Sequence, residues 1–136
     1  MPPPGTTLPP VVAGSVDILD AGWRKIKFNP RINDVVFLDE NTGYVLANSL
    51  FKSDDGGLSW RIVLNTQLLN GFVTADGKAF FVGPDRIYYT TDGGAHFTNP
   101  ASPGLSGLND IFFVNVSEGL AIGPNKFFKS TDAGVN

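Results

Sequence analysis

The stretch Ser53-Asp54-Asp55-Gly56-Gly57-Leu58-Ser59-Trp60 decides the fold, because the chain repeats it. It returns as Thr90-Thr91-Asp92-Gly93-Gly94-Ala95-His96-Phe97 and again as Ser130-Thr131-Asp132-Ala133-Gly134-Val135-Asn136. The hydroxyl residues Ser53, Thr90 and Ser130 recur at intervals of 37 and 40 residues, and the aromatics Trp23, Trp60 and Phe97 at intervals of 37. Trp23 therefore reads as the stub of an earlier copy. A fixed period of this length marks an array of like supersecondary units, each covering its neighbour's apolar face.

The flanks repeat as well. Gly43-Tyr44-Val45-Leu46-Ala47 lines up with Ala79-Phe80-Phe81-Val82-Gly83 and Gly119-Leu120-Ala121-Ile122-Gly123. Leu50-Phe51-Lys52 lines up with Ile87-Tyr88-Tyr89 and Phe127-Phe128-Lys129. Upstream sit Asn33-Asp34-Val35-Val36-Phe37 and Asn109-Asp110-Ile111-Phe112-Phe113, with Asn70-Gly71-Phe72-Val73 as a weaker middle copy. Short Val, Ile, Phe and Tyr runs between Gly, Asn and Asp give strands, and helical periodicity is absent. One period reads as strands at about 33–38, 43–48, 50–53 and 59–64, and four short strands in ~40 residues make a propeller blade. The fold class is all-β, a partial β-propeller of about three four-stranded antiparallel blades. Its parts are a Pro-rich tether over 1–22 and blades over 23–136: an outer strand at 23–28, a blade at 33–64, a blade at 70–98 and an incomplete blade at 109–136. Val35-Val36-Phe37-Leu38 and Ile111-Phe112-Phe113-Val114 are apolar without alternation, which predicts innermost strands covered on both faces.

Each position of the repeated motif has a backbone task. The Asp carboxylate and the Ser or Thr hydroxyl can bond amides across the turn between the third and fourth strands. Gly57, Gly94 and Gly134 permit a positive φ there, and Asp-Gly at 55–56 and 92–93 is itself a hairpin signal. Trp60 and Phe97 then pack the fourth strand on its blade. The predicted structural set is Ser53, Asp55, Gly57 and Trp60; Thr90, Asp92, Gly94 and Phe97; and Ser130, Asp132 and Gly134. These aspartates hold a peripheral hairpin and are not assigned catalysis. No catalytic residue, metal ligand or cofactor is assigned, and the ligand-binding residues stay open.

The pattern Ser/Thr-x-Asp-x-Gly-x-x-Trp/Phe resembles the Asp box, or BNR repeat, of sialidases, sortilin-type receptors and photosystem II assembly-factor-like propellers. The blades from Tyr44 to Gly57 and from Phe80 to Gly94 are most similar to photosystem II stability/assembly-factor-like and bacterial exported propellers. That resemblance implies a non-enzymatic protein-binding or assembly module, part of a larger exported propeller, with a protein partner or a surface glycan as ligand. A purely structural scaffold is an alternative reading. So is part of a sialidase-like or other glycoside hydrolase propeller. Sialidases bring arginines, a tyrosine nucleophile and acids to the ring centre, whereas Arg24 and Arg61 follow the box aromatic on an outer strand. Tyr88 and Tyr89 belong to a third strand, and Arg31 and Arg86 are loop residues. Glycosidase chemistry needs two facing carboxylates, but Glu40 and Glu118 occupy equivalent turns of non-adjacent blades.

Composition narrows the field further. Apolar residues make up 42% and charged residues 17% of 136, too apolar for disorder. Polar residues interrupt every hydrophobic run, so no membrane span is expected. A net charge of −3 without a long basic run gives no footprint for nucleic acid, and Arg24, Lys25, Lys27 and Arg31 read as a solvated face. Zero cysteines remove thiolate chemistry and disulfides. Asp39-Glu40-Asn41-Thr42-Gly43 and Asp54-Asp55 lack the ligand number and the later bidentate acid of a calcium loop, and His96, the single histidine, reads as surface. The opening Met1-Pro2-Pro3-Pro4 run resembles a lipoprotein tether. With the family resemblance and the lack of cysteine it sets an expectation of an extracytoplasmic location. Three blades leave open edges, so the remaining blades of a parent chain or a homo-oligomer are expected to cover them.

Overall fold

The computed structural model describes residues 13–18, 24–84, 86–99 and 107–134, and every regular element among them is a strand. Strands β1 (Ala13–Ile18) and β2 (Arg24–Phe28) form an antiparallel pair. The first blade is β3 (Asp34–Phe37), β4 (Gly43–Leu46), β5 (Leu50–Ser53) and β6 (Arg61–Leu64), hydrogen-bonded in that order. The second is β7 (Asn70–Val73), β8 (Ala79–Val82) and β9 (Ile87–Thr90), and the third is β10 (Asp110–Phe113), β11 (Gly119–Gly123) and β12 (Lys126–Ser130). All pairings are antiparallel between sequence neighbours. Every blade strand thus falls inside the span that the repeat predicts.

Among the described residues, the second blade's fourth strand is marked by a bridge in which Tyr89 and Thr98 exchange two N–H···O bonds of 2.8 Å. The expected tether at 1–22 is corrected in part, since Ala13–Ile18 is a strand. Gly14-Ser15-Val16-Asp17-Ile18 alternates polar and apolar residues, a strand pattern that outweighs the proline-rich start. Residues 1–12 and 19–22 lie outside the described residues, as do Trp23 and the end of the third motif at 135–136.

Blade faces alternate with the strand period of two. Tyr44, Leu46 and Leu50 of the first blade face Leu68, Ala79 and Phe81 of the second in one dry layer. Phe80 and Val82 leave the opposite face of the second blade to meet Leu108, Ile111, Phe113 and Ala121 of the third. On its other side the first blade packs Val45, Ala47, Phe51 and Trp60 against Phe28. Strands β4 and β8 are therefore buried at every position.

The innermost strands correct the expectation of two covered faces. Val36 and Leu38 pack toward the second blade, whereas Val35 and Phe37 are exposed; Ile111 and Phe113 are buried, whereas Phe112 and Val114 are exposed. Burial on both faces needs a blade on each side and a strand on each edge. Strands β4 and β8 have both, and an inner edge strand in the first or third blade has neither in full.

Cross-strand partners in the first hairpin of each blade match in size. Phe37 pairs with Gly43, Phe113 with Gly119, and Val73 with Ala79. A Cβ on Gly43 or on Gly119 would lie 2.6 Å from the facing phenyl ring, so the aromatic occupies the space the glycine vacates.

Candidate functional site

The repeated motif builds the same hydrogen-bonded turn three times. In the first, Gly57 N donates to Ser53 Oγ at 2.8 Å, Ser53 Oγ donates to Asp55 Oδ1 at 2.8 Å, and Ser59 N donates to Asp55 Oδ1 at 2.9 Å. Ser59 Oγ donates to Asp55 Oδ2, and Trp60 Nε1 donates to Gly57 O at 3.0 Å. In the second, Gly94 N bonds Thr90 Oγ1 (2.9 Å), Thr90 Oγ1 bonds Asp92 Oδ1 (2.8 Å), and His96 N bonds Asp92 Oδ1 (2.9 Å). In the third, Gly134 N bonds Ser130 Oγ (2.8 Å) and Ser130 Oγ bonds Asp132 Oδ1 (2.7 Å). Gly57, Gly94 and Gly134 have φ of 94°, 92° and 76°, the left-handed region that glycine enters at least cost. Ala133 reaches the same region at φ 62°, in the place of Gly56 and Gly93.

The electrostatics follow from these bonds. Burial pushes the Asp55 carboxyl up, but hydrogen bonds from the Ser59 hydroxyl and amide and from Ser53 outweigh it and hold it below its usual value. Asp92 is held well below the carboxylate range by the His96 amide first, then by the His96 ring at 2.7 Å and the Thr90 hydroxyl. At the same end of the blades, Asp39 Oδ1 accepts from Asn41 N and Thr42 N at 2.8 Å each, which lowers its pKa. Asn115 does likewise for Ser117 N and Glu118 N. The motif turn is tied to this neighbouring turn by Gly56 N to Asn41 O (2.9 Å) in the first blade and Ala133 N to Ser117 O (2.8 Å) in the third.

Each motif aspartate thus works inside its own turn, on a separate sheet. Among the described residues no group of three or more His, Cys, Asp or Glu is placed to hold a metal ion. Trp60 is buried and Phe97 half-buried; Arg61 pairs with Asp54 on the surface, and His96 is exposed. Glu118 is engaged with Asn115 and Lys129, and Glu40 is exposed. The side chains of Arg24, Lys25 and Lys27 lie outside the described residues.

Sequence reasoning missed two features. The first is a clasp along the inner strands, in which Asp34 Oδ2 accepts from Gly71 N (3.0 Å) and from Asn70 Nδ2 (3.1 Å) of the next blade. Asn70 Oδ1 in turn accepts from Ile111 N (3.2 Å) of the blade after that. The signal was the Asn or Asp that opens every inner strand, which reads locally as a turn residue. The second is the Tyr44 hydroxyl, fully buried and without a hydrogen-bond partner. Burial, then Asp54 and Asp92, push its pKa up to about 12. Tyr44 lies under Gly94 of the next motif, and Phe80 lies under Gly134 in the same way.

The opposite end of the blades, away from the motif turns, carries a polar cleft of about 350 Å³ between the first two blades. Asn65, Thr66 and Gln67 of the inter-blade connection form one side, and Pro84, Arg86 and Tyr88 the other. With its amide turned so that Nδ2 donates to Ile87 O (3.1 Å), Asn99 Oδ1 accepts from Arg86 Nη1 (3.0 Å) and braces the guanidinium.

No protein-family model and no curated protein matches the chain. Solved structures do. "YCF48 bound to D1 peptide" superposes with a TM-score of 0.64 at 25% identity, over 79% of this chain and 38% of that one. YCF48 from Cyanidioschyzon merolae gives 0.65 at 21%, over 79% and 36%. An ancestral GH74 enzyme gives 0.66 at 16%, over 78% and 18%. The chain spans less than two fifths of the YCF48 chains and less than one fifth of the GH74 chain. Its sheets stack as theirs do, and the chain has the fold of a partial β-propeller.

Proposed function

We propose that this chain is a non-enzymatic protein-binding or assembly module, built from Asp-box propeller blades of a larger exported propeller. The observation that carries this reading is the use of the motif's polar groups. The hydroxyls of Ser53, Thr90 and Ser130 and the carboxylates of Asp55, Asp92 and Asp132 are spent on their own turns. Such groups stiffen hairpins and leave recognition to the loops at the other end, where propeller loops are free to vary. The likeness to YCF48, a protein captured with a D1 peptide, supports a peptide as the kind of partner. The cleft between Gln67 and Arg86 is the place assigned to it, because amides, a phenol and a braced guanidinium there offer donors to the carbonyls of an extended peptide. The likeness to GH74 enzymes is a likeness of fold and carries no chemistry.

The test is a binding titration with a D1 peptide and a displayed library of extended peptides, run beside fluorogenic sialoside and xyloglucan substrates. Saturable peptide binding that Arg86→Ala or Tyr88→Ala weakens supports the proposal. Turnover of either glycoside, or peptide binding indifferent to both substitutions, overturns it.

A further inference from the structure

The clasp between the inner strands encloses a reactive dipeptide. Asn70-Gly71 is the one Asn-Gly sequence in the chain. Asparagine before glycine is prone to deamidation, because glycine has no side chain to keep its amide nitrogen away from the preceding carboxamide carbon. Gly71 N attacks Asn70 Cγ and gives up its proton, Nδ2 leaves as ammonia, and water then opens the cyclic imide to aspartate or isoaspartate. The inner strands of the first and third blades carry Asp34-Val35 and Asp110-Ile111 at the same register, so the second blade alone joins a carboxamide to an unhindered nitrogen. The glycine has a packing reason, since a Cβ on Gly71 would lie 3.2 Å from the Phe81 ring and 3.3 Å from Leu46 Cδ2.

The structure ties down both groups that this reaction needs. Gly71 N donates to Asp34 Oδ2 at 3.0 Å, and Asn70 Nδ2 donates to the same oxygen at 3.1 Å. Asn70 Oδ1 accepts from Ile111 N at 3.2 Å, so the carboxamide is held from the first blade and from the third. Ring closure removes the Gly71 proton and expels Nδ2, and therefore breaks both bonds to Asp34.

We propose that Asn70-Gly71 is a deamidation site that the Asp34 clasp keeps closed, and that its conversion releases the first blade from the second in one direction only. The product places a carboxylate against Asp34 where a donor stood, and like charges brought together oppose the contact. An isoaspartate also adds a methylene to the main chain of β7 at the residue paired with Val82. Ile111 N still finds an acceptor in the product, so the damage falls on the junction of the first two blades. A reaction that proceeds from an open state runs as fast as that state is populated. Asn70 thus records how often the two blades have parted.

Ageing the full chain in mildly alkaline buffer, with digestion and mass spectrometry at Asn70, tests this. Wild type unfolded in urea should convert roughly tenfold faster than folded wild type or more, and folded Asp34→Ala should close most of that gap, because two bonds to a charged acceptor are gone. Asp55→Ala breaks a motif turn of the first blade and leaves the clasp intact, so it should age like the wild type. A second readout does not depend on Asp34→Ala folding. Asn70→Asp, the product, should unfold at lower urea than the wild type, and Asp34→Asn added to it should recover part of the loss by setting an amide opposite a carboxylate again. Three results would each overturn the proposal: equal conversion in folded and unfolded wild type, equal acceleration by Asp34→Ala and Asp55→Ala, and Asn70→Asp as stable as the wild type.

Discussion

In the first blade, Trp60 is 8% exposed, its indole donates to Gly57 O, and the four-residue strand β6 follows. In the second, Phe97 is half-buried, the turn is closed by the equivalent Thr-Asp-Gly bonds, and Thr98 bridges to Tyr89. The lock of the turn is therefore local: the same bonds form whether the aromatic that follows is buried or half-buried. The blades differ in what the aromatic has to pack beneath.

The largest expected effect separates the two aromatics. Trp60→Ala should lose about 3–5 kcal/mol in urea unfolding, and Phe97→Ala less than half of that; equal losses would mean that burial of the aromatic does not distinguish the blades. Next is the first hairpin. Gly43→Ala should cost about 1–3 kcal/mol through the facing Phe37 ring, and adding Phe37→Val, which copies the Val73–Ala79 pair, should recover part of it. If the double variant is no better than the single one, size matching across the pair is not the cause.

Third are the carboxylates. Asp55→Ala should cost about 1–2 kcal/mol by stranding Ser53, Ser59 N and the Ser59 hydroxyl, and Asp92→Ala, at a more exposed turn, less. Asp92 has a folded pKa below its unfolded value near 3.8, so its stabilisation is present above that value and fades as pH falls through the folded one. An acid titration of the unfolding midpoint should therefore slope less steeply below about pH 4 in Asp92→Asn than in wild type. The smallest effect is Tyr44→Phe, which copies Phe80 and removes a buried hydroxyl without a partner. Thermal unfolding should show stability unchanged or raised by up to about 1 kcal/mol, and a clear loss would reveal a partner for that oxygen.

Much of this architecture was legible in the order of residues. Strand positions followed from the period, because each copy of Asp-Gly-Gly, or Asp-Ala-Gly in the third, punctuates a Val- and Phe-rich run at nearly the same offset. The hydroxyl-to-carboxylate-to-amide circuit of each turn was also legible, since all its members lie within eight residues. What escaped depends on neighbours far along the chain. Asp34 reaches residues 36 and 37 positions away, and nothing local distinguishes a clasp from an Asx turn. Val35 and Phe112 read as core because apolar runs record the chemistry of a strand and not how many of its faces are covered. The strand at 13–18 was hidden by the prolines before it.

The Phe37–Gly43, Val73–Ala79 and Phe113–Gly119 pairs carry a lesson for anyone who would recombine these repeats. Volume in each hairpin is conserved as a sum across two positions and is not fixed at either one. A chimera that joins the inner strand of one blade to the second strand of another would inherit two bulky partners or two small ones, a collision or a void. The indivisible unit of exchange is the hairpin, and crossover points belong in the connections between blades.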